Sequence, residues 1–93
     1  MREHTLKTSA ACWDAIKAGE KTWEVRKNDR FFQPGDTVIL RKLDETGRHY
    51  ETGDGGRFST CDLTFKIGWM LQGGQFGIEP GYCVFSLVPV RRK

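Results

Sequence analysis

Lys21, Glu24 and Arg26 place an ammonium, a carboxylate and a guanidinium within six residues of a 93-residue chain. If residues 22–27 are extended, Thr22, Glu24 and Arg26 share one face, and Glu24 and Arg26 sit about 7 Å apart at their roots. That is within reach of one ligand. Arg26 can present a planar fork to a phosphate or a base edge, and Glu24 can accept from an exocyclic amine. Lys21 can reach the same space as a mobile cation. The plainer reading is a solvated charged face with an incidental ion pair worth ~0–1 kcal/mol. Asn28 and Asp29 follow as natural turn formers, or as further polar contacts to a ligand. Arg30 has no such turn role and is placed to guard the mouth of a site.

Other candidates are more isolated. His4 shares a face with Leu6 and reads either as a hydrogen-bonded core histidine or as a ligand contact. Tyr50, ahead of Thr52-Gly53, offers a stacking ring beside a turn, or simple packing. Trp13, Trp23 and Trp69 fall on expected apolar faces and are counted as core. Cys12, Cys61 and Cys83 are an odd set with no Cys-x-x-Cys pair, which argues against a disulfide framework and a zinc site and for small buried hydrophobes. The chain carries no Walker loop, metal-ligand cluster or Ser-His-Asp arrangement, so neither a metal nor a cofactor is expected.

The elements that must position these groups are short. Residues 3–8 read as a strand. Ser9 is a cap for a helix over 10–18, with Trp13 and Ile16 as its apolar stripe and Gly19 at its C-terminal turn. Residues 22–27 alternate, with Trp23 and Val25 expected on the core face and the charges outside. Thr37 to Lys42 is a third strand with Val38, Ile39 and Leu40 at its centre, and residues 49–52 suggest a short fourth. Alternation from Cys61 through Leu63, Phe65, Ile67 and Trp69 to Leu71 predicts a long strand with one buried face. Residues 72–80 read as a loop whose Phe76 and Ile78 lid one end. Residues 82–90 are apolar on both faces, as a strand closing a barrel interior would be. Together these predict a mostly β fold with one short helix (α+β), a small, mostly antiparallel barrel.

Length allows one domain over residues 1–93, with Arg91-Arg92-Lys93 as a frayed basic tail. The formal charge is +3, and its excess lies early: nine Lys/Arg against six Asp/Glu in residues 1–42, six against six in the remainder. This mild bias permits phosphate contact. No apolar run approaches the ~20 residues of a bilayer span and no signal-peptide core opens the chain, so a cytoplasmic protein without membrane contact is expected.

Several motifs recur in order: His4-x-Leu6-Lys7, Gly19-x-Lys21-Thr22-x-Glu24-x-Arg26, Asn28-Asp29-Arg30, Gly35-Asp36, Tyr50-x-Thr52-Gly53 and Gly81-Tyr82. With them the chain resembles the ASCH domains of the PUA-like superfold, in particular a small bacterial and phage subfamily. The resemblance implies a PUA-like pseudo-barrel and a cleft for RNA or a modified nucleotide or nucleoside, built from Lys21, Thr22, Glu24, Arg26, Asn28 and Arg30 with His4 and Tyr50 in attendance. A second implication is catalysis. Some small ASCH proteins similar to this chain around Gly-x-Lys-Thr are amidohydrolases of acylated cytidine, with a lysine that activates a threonine. Lys21 fits that lysine, but Glu24 stands where the pattern has threonine. A hydrolase would therefore use Glu24 to activate water and Lys21 to polarise the carbonyl. A third possibility is a phage module that binds a host protein.

Overall fold

The computed structural model describes residues 1–43, 51–54 and 57–90. In chain order the elements are β1 (Glu3–Thr8), α1 (Ala10–Lys17), β2 (Trp23–Lys27), β3 (Thr37–Lys42), β4 (Glu51–Asp54), β5 (Arg57–Thr60), β6 (Asp62–Gln72) and β7 (Tyr82–Pro89). Five strands form one sheet in the order β1-β3-β6-β7-β2, while β4 and β5 pair separately as a ribbon. The β1–β3 pair is parallel and all others are antiparallel. The five-stranded sheet curls into a half-barrel, which agrees with the mostly β, single-helix expectation. Among the described residues no helix is long and apolar enough to cross a membrane.

Inside the curl lie Leu6 of β1, Val38 and Leu40 of β3, Ile67 of β6, and Cys83, Phe85 and Leu87 of β7, all buried. Helix α1 covers them with Trp13 and Ile16. Ser9 Oγ accepts from the Cys12 amide at 3.4 Å and starts the helix, and Gly19 at φ 80° lets the chain turn away after it. Trp13 Nε1 donates to Leu40 O at 2.9 Å, so the indole is buried without an orphaned donor and fixes the helix against β3.

Five expectations about faces need correction. Trp23 and Val25 are exposed, and it is Glu24 that points inward. Trp69 also stands in solvent, because the β6–β7 register shifts between Ile67 and Met70. This bulge adds a residue, so inward packing resumes at Met70 rather than at Trp69 and Leu71. On β7 only Cys83, Phe85 and Leu87 are buried; Val88 faces out. Phe76 is exposed and lids nothing, although Ile78 is half-buried. Ile39, expected in the centre of β3, is half-buried on its outer face. The short strand expected over 49–52 begins at Glu51, and its first two positions lie outside the described residues.

One buried polar pair organises the entry to the fold. His4 Nε2 lies 2.9 Å from Asp36 Oδ2, and the His4 ring meets Phe32 edge-on at 4.7 Å. Asp36 also accepts from the Arg2 amide at Oδ1 and the Gln33 amide at Oδ2, each at 3.1 Å. Burial pushes the Asp36 carboxyl up, but the His4 bond and the two amide bonds outweigh it and hold its pKa below the usual 3.8. The unfolded chain therefore holds this proton more tightly than the folded one. The pair's stabilisation is complete above pH 3.8 and is lost as pH falls through the lowered value. Asp36→Ala should cost about 2–4 kcal/mol at neutral pH, since it leaves His4 and two amides without their acceptor. Asp36→Asn should flatten the fall in melting temperature below about pH 4, which thermal denaturation across acid pH measures.

Two glycines are set by close approach. A Cβ at Gly73 would strike the backbone carbonyl oxygens of Glu79 and Tyr82, whereas one at Gly68 would meet only the side chains of Ser86 and Val88. Side chains can rotate away and paired backbone cannot. Gly73→Ala should therefore lower the melting temperature by about 8 °C or more and Gly68→Ala by less, each kcal/mol being worth ~4–8 °C at this size.

Candidate functional site

A curled sheet that does not close leaves two edges, here β1 and β2, with unpaired backbone groups. Arginine side chains bridge them. Arg26 of β2 donates from Nη1 to Lys7 O at 3.0 Å and from Nη2 to Thr8 Oγ1 at 3.1 Å, both on β1. Arg30 donates from Nη1 to Thr5 O at 2.8 Å. The seam of the half-barrel is thus held by side chains rather than by a strand ladder.

Glu24 lies behind that seam with its side chain only 4% exposed. Lys21 Nζ donates to Oε1 at 2.6 Å and Arg26 Nε donates to Oε2 at 2.8 Å. Each carboxylate oxygen has its own cation, which offsets the cost of burying the charge. Arg26 therefore serves Glu24 and β1 at once, with three of its nitrogens engaged.

A pocket of about 290 Å³ opens beside this cluster. Lys7, Thr8, Ser9 and Cys12 form one wall; Lys21, Trp23, Glu24, Val25 and Arg26 form the other. Its three cations face one carboxylate, a formal +2. Lys7 makes no ion pair among the described residues. Trp23 is 48% exposed, with Lys21 Nζ 4.9 Å from the centre of its ring. An exposed indole beside cations and a buried acid can hold a flat, anionic, hydrogen-bonding ligand. Among the described residues no group of three or more His, Cys, Asp or Glu could hold a metal ion.

A second cavity of about 180 Å³ shares Arg26 with the first and adds Leu6, Lys27, Asp29, Arg30 and Phe32. Across both cavities, Lys7, Lys21, Arg26, Lys27 and Arg30 face Glu24 and Asp29. Five cations against two acids give +3, equal to the formal charge of the whole chain. The remaining ten cations and ten acids of the sequence sum to zero.

The structure brings Lys21, Glu24 and Arg26 together in the first pocket and places Arg30 at the second. It does not bring Thr22 into either lining; Thr22 is exposed and its carbonyl accepts from the Leu87 amide at 2.9 Å. Asn28 works as a turn residue: its amide donates to Gly81 O at 2.8 Å, its Oδ1 accepts from Phe32 N at 3.2 Å, and its Nδ2 reaches Gln72 Oε1 at 3.2 Å. His4 belongs to the Asp36 pair, away from both linings. Tyr50 lies outside the described residues. Sequence reasoning overlooked Lys7, Thr8, Ser9, Cys12 and Lys27, and assigned Trp23 to the core. The available signal was that β2 alternates Trp-Glu-Val-Arg, a pattern that equally fits charges turned toward an open seam.

Arg26→Ala should cost about 2–4 kcal/mol in chemical denaturation, because it strips Glu24 of one partner and uncovers the β1 edge. Arg26→Lys should recover only part, since one ammonium cannot serve Glu24, Lys7 O and Thr8 together. Combining Arg26→Ala with Glu24→Ala should cost less than the two losses added.

Residues 3–87 match a family described as a domain of unknown function (DUF3850), and the chain belongs to that family. No curated protein matches it.

Proposed function

For this member of the family we propose nucleotide recognition: the pocket between β1 and β2 takes a base of single-stranded RNA or of a modified nucleotide. One observation carries the reading. Trp23, an aromatic ring on a strand otherwise turned to charge work, is half-exposed beside Lys21 at a pocket of formal charge +2. An indole face accepts any base by stacking, and the surplus cations attract the phosphate that comes with it. Glu24, fixed by two cations, keeps a further lone pair on each oxygen and supplies a charged acceptor able to favour a base carrying an exocyclic amine. The resemblance to ASCH and PUA-like domains supports the same ligand class.

Binding is preferred to amide hydrolysis on chemical grounds. A general base must exchange hydrogen-bond partners as it takes a proton, and a cation on each Glu24 oxygen holds that carboxylate in place. A threonine nucleophile needs to face the substrate, and Thr22 does not line the pocket.

Tryptophan fluorescence titrated with a short single-stranded RNA tests the proposal. Trp23→Ala should weaken binding about 5–150-fold, the usual worth of stacking one base. Trp69, a residue 73% exposed, lies outside the pocket lining, so Trp69→Ala should leave affinity unchanged. Wild-type affinity in Trp23→Ala would reject the reading.

A further inference from the structure

We infer that the second cavity is a phosphate subsite, so that the seam holds a base on the Trp23 side of Arg26 and a phosphate on the Arg30 side. This rests on the nucleotide reading of the first pocket and narrows it: the ligand is a phosphorylated nucleotide or a strand, not a free nucleoside.

Arg26 lines both cavities, so the two are neighbours across one side chain. Their characters differ. The first contains the exposed indole and the buried carboxylate; the second contains Lys27 and Arg30, with Asp29 opposing them and Leu6 and Phe32 as its apolar floor. Lys27 is exposed and makes no side-chain bond among the described residues. Arg30 uses Nη1 on Thr5 O at 2.8 Å and makes no other side-chain bond among the described residues, so the rest of its fork can donate to a ligand. Buttressing of this kind holds a guanidinium in place and reduces the entropy lost when it grips an anion. Three cations against one carboxylate around 180 Å³, with no aromatic face exposed to solvent there, suit a tetrahedral anion and not a base.

The surplus at the seam points the same way. An isolated base is neutral and has no use for a formal +3 concentrated in seven side chains, whereas a nucleotide chain brings one negative charge per residue. Positive charge that extends past the stacking ring follows a backbone.

Affinity measured for adenosine, its 5′- and 3′-monophosphates, the dinucleotide ApA, and six-residue oligo(A) and oligo(dA) tests the inference. In the wild-type chain one of the phosphorylated forms should bind at least about tenfold more tightly than adenosine, as one charge-assisted contact provides. Lys27→Ala combined with Arg30→Gln should abolish that gain and leave adenosine binding within about threefold. Lys27→Ala alone, at an exposed position that does not endanger folding, should lower the salt dependence of oligo(A) binding by about 0.7 in log–log slope. The mononucleotide and oligonucleotide arms separate a free nucleotide from a strand, and the oligo(A) and oligo(dA) arms separate RNA from DNA. If the gain survives both changes, or is lost in Lys7→Ala instead, the phosphate sits in the first pocket and the inference fails while the nucleotide reading stands. If Trp23→Ala changes nothing but the phosphate gain still depends on Lys27 and Arg30, the stacking reading fails and the subsite remains. Absence of binding by every probe at millimolar concentration overturns both.

Discussion

The fold rests on a buried carboxylate at the place where the sheet fails to close. Glu24 is held between Lys21 and Arg26, and Arg26 continues across to the carbonyl of Lys7 and the hydroxyl of Thr8. Remove the carboxylate, and the guanidinium loses the contact that aims it; remove the guanidinium, and a charge is buried beside an open edge. Because each partner also does structural work, the cluster is fixed before any ligand arrives. Such fixed polar groups suit recognition better than proton transfer, which needs a group able to change its partners.

The same constraint explains why cations gather at the seam. Edge strands invite unwanted pairing, and charged side chains are a common defence. Here the defence is arranged in three dimensions: Arg26 and Arg30 cover the β1 carbonyls, while Lys7 and Lys27 stand beside them and form no ion pair among the described residues. A device that protects the edge has thereby produced an electropositive strip with an exposed indole on its border. Elsewhere, burial is conventional. The His4–Asp36 pair satisfies its polar atoms internally, and no buried side-chain nitrogen or oxygen among the described residues lacks a partner.

Much of the fold was legible in the sequence. The Trp13/Ile16 stripe between Ser9 and Gly19 located the helix, and the alternation after Cys61 located β6 almost to the residue. Faces were harder. Hydrophobicity alone sends Trp23 and Val25 of β2 inward; in the structure its inner face meets a seam, not the core, and charge rather than grease is needed there. Trp69 was lost to a bulge beside Gly68, a local shift that strict periodicity does not register. The charged triad was visible because its spacing is local. Lys7 and Thr8 were not, because parallel pairing of β1 with β3 and the curl of the sheet decide which side chains meet β2, and no local pattern encodes that. His4 showed the reverse: its plain reading as a bonded core histidine is the one the structure displays, with Asp36 as the partner.

The central claim is that the β1/β2 seam, and not the outer sheet face, receives the ligand. Amide and side-chain chemical shifts of labelled protein, followed as a single-stranded oligonucleotide is added, test it most directly. The account predicts that the largest changes fall on the Lys7 and Thr8 amides, the Trp23 indole and the Nε–H groups of Arg26 and Arg30, with the Trp69 indole unmoved. Shifts centred on Trp69 and Val88, with the Arg26 and Trp23 signals unchanged, would contradict it.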